Sequence, residues 1–209
     1  MEKKRIAIDI NDVIRDYTSQ FIKVYEKYID DNSNITIEDV TDFNFLNVFP
    51  FINENNISDI QLLNKFKYED YPFELYGVAE PMTKSLPSEI NIWMQNTMRN
   101  FEDEKVPDIL FVSPFEYGIS IQSTLHFLSR IGIRAREYYF PVDSMTIWDR
   151  CDILITANPN LLNNMPDGKI SFKVETSYNK EAKATYTFKT FEEIMFDENN
   201  TLTNLIDNE

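Results

Sequence analysis

The stretch RIAIDINDV, residues 5–13, decides how the rest of the chain is read. Arg5 to Ile10 is short and β-branched, and it is apolar between Arg5 and Asp9. A strand covered on both faces needs no polar alternation, so this composition predicts a buried strand. The strand ends on an acidic residue and a polar loop, which puts Asp9 at the carboxyl end, where parallel α/β sheets hold their ligands. A helical pattern follows, with Ile14, Tyr17, Phe21, Val24 and Tyr28 recurring at three- and four-residue steps.

Beyond Pro81, helix and strand alternate. Helices are predicted near 85–101, 118–131 and 191–206. Strands are predicted at 108–113 (DILFVS), 136–140 (REYYF), 152–156 (DILIT) and 170–175 (ISFKVE). With the first strand these make five, and strands separated by helices predict a parallel α/β sheet sandwiched by helices. Residues 31–77 hold no clear strand, but ITIEDV at 35–40 carries a helix-start signal and 58–66 reads as a short helix. Residues 14–77 are therefore expected to form a small helical cap inserted after the first strand. The core, 1–13 and 78–209, completes a single domain. Asp9, Ser113, Thr156 and Glu175 should gather along one sheet edge.

Composition narrows the function. The 209 residues, 43% of them hydrophobic, suffice for one filled core. Twenty Lys and Arg against 35 Asp and Glu give a formal net charge of -15, which would repel a phosphate backbone, so nucleic acid is not an expected partner. The strongly apolar runs, such as Ile109–Val112, are far short of the ~20 residues that cross a bilayer, so no membrane partner is expected either. The basic start Met1–Arg5 lacks the apolar middle of a signal peptide, which predicts a cytoplasmic or virion-associated protein without its own export signal. Four glycines (Gly77, Gly118, Gly132, Gly168) are too few and too scattered for a phosphate-cradling glycine loop. The single cysteine, Cys151, and the single histidine, His126, have no partners in the sequence that suggest redox, nucleophilic or metal chemistry. The aromatic runs at 45–51 (FLNVFPF) and 68–76 (YEDYPFELY) either seal the core or present an apolar patch, and the tail at 197–209 is polar enough for disorder.

The order of four pieces resembles the haloacid dehalogenase-like (HAD) superfamily, with its Rossmann-like fold. They are Asp9-Ile10-Asn11-Asp12-Val13, a strand ending in Ser113, Asp152-Ile-Leu-Ile-Thr-Ala-Asn-Pro159, and Ser177-Tyr178-Asn179. Ile35–Phe45 (ITIEDVTDFNF) and Leu75–Met82 are similar to segments of the 5'(3')-deoxyribonucleotidase branch. The resemblance implies phosphoryl chemistry. One aspartate attacks phosphorus, a second two residues later handles the proton, a Ser or Thr binds phosphoryl oxygens, a Lys or Arg offsets charge, and acidic residues after the fourth strand hold magnesium.

Only part of that set is present. Asp9 matches the nucleophile and Ser113 the phosphate-binding residue, but Asn11 stands at the acid-base position, where an amide cannot shuttle a proton. The cation expected before Gly132 falls on Gln122 or Ser123, and the metal-binding acids fall on Thr156 and Ala157. Asp12, one residue out of register, should face away if its segment is extended, Asp152 lies at the wrong end of its strand, and Glu175 is the remaining acid that could help. The expectation is a vestigial site (Asp9, Asn11, Ser113, Thr156, Ala157) that binds no cofactor or metal. The chain would then be a catalytically silent subunit, joined to protein partners or to copies of itself in an assembly such as a bacteriophage particle. The rival is a Mg²⁺-dependent 5'-nucleotidase or other phosphomonoesterase with Asp9 as nucleophile.

Overall fold

Strand β1 (Arg5–Asp9) lies inside a sheet whose other strands are β2 (Asp108–Val112), β3 (Glu137–Tyr139), β4 (Ile153–Thr156), β5 (Ile170–Val174) and β6 (Tyr186–Phe188). This computed structural model describes residues 3–51, 58–100 and 106–207. The order is β3-β2-β1-β4-β5-β6, and every neighbouring pair is parallel. Six strands replace the expected five. The missed one, β6, is a three-residue edge strand in which Thr187 is exposed, so it offers neither the length nor the unbroken apolar run that betrays a central strand.

Alternation along the strands divides the core. Ile6, Ile8, Phe111, Ile153, Ile155, Phe172 and Val174 pack on one face against helices α3 (Leu86–Asn100), α4 (Ile119–Ile131), α6 (Phe191–Met195) and α7 (Thr201–Asp207). Ala7, Leu110, Val112 and Leu154 point the other way. They meet Ile147 and Trp148 of a 3-10 helix (Ser144–Arg150) and Leu161 of α5 (Pro159–Asn163). The single helix expected over 191–206 is two helices, because Asp197 accepts from Thr201 N and Asn200 takes a left-handed φ of 51° between them. Leu202 and Ile206 of α7 are buried in the main core, so the polar tail is ordered through its apolar side chains. Its last two residues, and residue 101 of the predicted helix 85–101, lie outside the described residues.

The crossover from β1 to β2 builds its own aromatic core. It contains α1 (Tyr17–Tyr28), a 3-10 turn (Ile37–Asp39) and α2 (Asp59–Lys65), followed by two wide turns closed by Tyr71 N to Phe66 O (3.1 Å) and Val78 N to Phe73 O (3.2 Å). Phe21 of α1 meets the rings of Phe45, Phe49 and Phe66 at centroid distances of 4.8, 4.7 and 5.2 Å. The runs 45–51 and 68–76 thus seal a core, although Phe73 is exposed. The crossover returns over the start of α1: Asp16 N donates to Glu80 O and Met82 N to Ile14 O.

Because Phe21 is fully buried among four rings, those of Tyr17, Phe45, Phe49 and Phe66, Phe21→Ala should cost about 3–5 kcal/mol by cavity creation. Urea unfolding followed by tryptophan fluorescence measures it.

Candidate active site

Strand order reverses on either side of β1, so a crevice opens beyond its carboxyl end. A cavity of about 310 Å³ lies there. Its lining includes Asp9, Asn11, Asp12 and Asn158 from the sheet's loops, Tyr17, Phe45, Lys67 and Tyr68 from the crossover, and Tyr178 from the loop after β5.

Asp9 is 2% exposed. Its Oδ2 accepts from Thr156 Oγ1 at 2.6 Å and its Oδ1 from Asn11 N at 3.4 Å. Burial raises its pKa to about 7 despite those donors, and the neighbouring Asp12 charge pushes the same way. Asp12 lines the same cavity, contrary to the expectation that it faces away. The register argument assumed an extended segment. The chain instead turns after Asp9 and takes a φ of 54° at Asp12, a conformation that aspartate tolerates better than most residues. Asp12 is also buried. Its Oδ1 accepts from Thr18 N (2.9 Å), and its Oδ2 from Thr18 Oγ1 and Tyr178 OH (both 2.8 Å). Burial holds its carboxyl above the ordinary range.

Of the other predicted residues, Asn11 lines the cavity and Ser113, Thr156 and Ala157 do not. Ser113 is wholly buried; its hydroxyl donates to Glu116 Oε1 at 2.5 Å and accepts from Asn11 Nδ2 at 3.3 Å. Asn11 Oδ1 in turn accepts from Arg15 Nε (2.9 Å) and Nη2 (2.5 Å). Ala157 contributes its carbonyl oxygen to Asn179 Nδ2 at 2.9 Å. Glu175 is exposed and outside the lining, and Asp152 serves the opposite end of the sheet by accepting from Arg5 N at 3.0 Å. His126 is exposed beside Phe73, and Cys151 is buried with its thiol pushed up to about 12.

Sequence reasoning found no cation for the site because it looked only on α4. Lys67 comes from the crossover, where no spacing rule ties it to Asp9, and it is the lining residue with a basic side chain. Its ammonium rests over the rings of Tyr68 (5.3 Å) and Tyr17 (5.9 Å), and burial lowers its pKa to about 8. Asn158 was also missed, although an Asn before Pro159 is a helix-start signal.

No family model and no curated protein matches this chain. Solved structures do. YfnB of Bacillus subtilis, classed as a HAD-hydrolase and solved bound to magnesium, aligns over 99% of this chain and 100% of its own, with a TM-score of 0.50 and 12% identity. A haloacid dehalogenase-like hydrolase from Burkholderia xenovorans aligns over 97% and 99%, with a TM-score of 0.53 and 8% identity. The fold is HAD-like. The expectation of an inert scaffold is overturned, since the chains that share the whole HAD-like fold are classed as hydrolases. Two groups set aside or overlooked in the motif comparison also line the cavity: Asp12, an acid expected to face away, and Lys67, a cation from a position that was not searched.

A resident magnesium ion does not suit this donor set. Asp12 spends both oxygens on Thr18 and Tyr178, Thr156 gives its proton to Asp9, and Asn158 turns its oxygen to α5. Among the described residues no three His, Cys, Asp or Glu side chains are grouped to hold a metal.

Asp9 also sets a pH dependence of stability. Its native pKa is raised, so its contribution is complete below pH 3.8 and is lost as pH rises through about 7. Asp9→Asn should therefore raise the melting temperature at pH 8 and leave it nearly unchanged at pH 4, as thermal unfolding at the two pH values would show.

Proposed function

We propose that this protein hydrolyses phosphomonoesters, with Asp9 as the nucleophile. The observation that carries the reading is a buried carboxylate at the end of the central strand, facing a cavity that also holds an unpaired ammonium and a second buried acid. With Oδ2 held by Thr156, Oδ1 attacks phosphorus, and the bond from phosphorus to the ester oxygen breaks. The departing alkoxide takes a proton from Asp12: burial inclines its carboxyl to the protonated form, and it gives up the bond accepted from Tyr178 OH to turn that proton into the cavity. Water then hydrolyses the aspartyl phosphate, returning its proton to Asp12 and freeing Asp9. Lys67 offsets the repulsion between the carboxylate and the anionic ester.

A nucleoside monophosphate is the favoured ester. The reading draws on the resemblance of 35–45 and 75–82 to the deoxyribonucleotidase branch. It also draws on an aromatic lining, Tyr17, Phe43, Phe45, Tyr68 and Tyr178, that suits a flat ring.

Phosphate release from p-nitrophenyl phosphate and from deoxynucleoside monophosphates, each with EDTA and with Mg²⁺, tests the proposal. Asp9→Asn should lower kcat by roughly 100-fold or more. Turnover that survives this substitution would refute the role of Asp9. For the wild type, kcat/KM should rise as Asp9 ionises through about 7 and fall as Asp12 loses the proton it donates and Lys67 deprotonates through about 8, giving a narrow bell in the pH profile.

A further inference from the structure

Asn158 follows β4 and caps α5, its Oδ1 accepting from Asn160 N at 2.9 Å and Leu161 N at 3.4 Å. Those two bonds fix the amide's orientation: the oxygen belongs to the helix, so the NH₂ group is directed away from it. Asn158 is 3% exposed and lines the cavity beside Asp9, yet its Nδ2 is buried without a hydrogen-bond partner. Buried amide hydrogens are rarely left unpaired, and one at the wall of a binding cavity marks a place for an acceptor brought by a ligand.

A second donor faces the same space. The Lys67 ammonium makes no hydrogen bond or ion pair among the described residues; it rests over the rings of Tyr17 and Tyr68 and feels the charge of Glu116 from beyond ion-pair distance. An unpaired amide and an unpaired ammonium give the cavity donors without matching acceptors. That is the chemistry of an oxyanion site; a divalent cation needs the reverse. We propose that Asn158 Nδ2 and Lys67 Nζ together bind the non-bridging oxygens of the substrate's phosphoryl group, holding it through donors of the chain itself and not through a metal ion. One donor belongs to the sheet's loops and the other to the crossover, so the bound anion links the two parts of the molecule across the cavity. The assignment rests on the phosphomonoesterase reading but is separable from it, because binding of phosphate needs no turnover.

The test is calorimetric titration of the full chain with inorganic phosphate in EDTA, for the wild type, Asn158→Ser and Lys67→Met, with a melting curve for each. Asn158→Ser keeps an oxygen able to cap α5 and removes the NH₂ group without adding charge. Each substitution should weaken phosphate binding by about tenfold or more, with folding retained. If Asn158→Ser proved unstable, Lys67→Met would decide alone, since Lys67 makes no hydrogen bond whose loss would unfold the chain. Unchanged affinity in the folded variants, or wild-type binding only when Mg²⁺ is added, would overturn the clamp. Phosphate binding that depends on both residues without ester turnover would keep the clamp and sink the hydrolase reading. Turnover with undiminished binding in both variants would do the opposite.

Discussion

The guanidinium of Arg15, wholly buried, is the constraint on which the rest of the site depends. Removing a cation from water costs several kcal/mol, which is recovered only if its donors find partners. Arg15 finds them in four parts of the chain: Asn11 Oδ1 beside it, Tyr76 O of the crossover (3.0 Å), Thr124 Oγ1 of α4 (2.6 Å) and Glu116 Oε1 after β2 (2.7 Å). Glu116 also receives the hydroxyls of Ser113 and Thr124. Displacing any of these segments would strand a buried charge, so the loop carrying Asn11 and Asp12 is held fixed against both α4 and the crossover.

That network consumes groups that a comparison with known motifs assigns to substrate. Ser113 directs its proton to Glu116, and Asn11 turns its oxygen to Arg15. The site proper is one layer above, among Asp9, Asp12, Lys67 and Asn158. Here burial raises the cost of ionising both carboxyls, the charge of Asp12 adds to it at Asp9, and burial lowers the pKa of the Lys67 ammonium, so Asp9 and Lys67 titrate at about 7 and about 8 although the whole chain is strongly acidic.

Segments whose local chemistry and tertiary surroundings agree were legible. β1, β2, β4 and β5 could be read because they are buried and mostly apolar, β3 because aromatic residues run on from Tyr138 to Phe140, and α4 because Gly118 and Gly132 bound an amphipathic pattern. β6, as short as β3 and at the other edge, escaped because the exposed Thr187 breaks its aromatic run. Asp12 was misjudged for a different reason: strand parity holds only while the backbone stays extended, and a left-handed residue cancels it. The missing cation was sought at a fixed place on α4, whereas spatial closeness allowed it to arrive from Lys67, 58 positions beyond Asp9 in the chain.

The sequence by itself determined the parallel α/β architecture, the strand that carries Asp9 and the aromatic content of the crossover. These follow from periodicity and from the cost of exposing apolar surface, both of which act locally along the chain. Tertiary structure alone decided which side chains share the cavity: that Asp12 turns inward, that Lys67 faces it, and that Asn158 is left with an unpaired donor. Hydrogen bonding and charge act over a few ångströms in space whatever the separation in sequence, so those outcomes had no local signature to read.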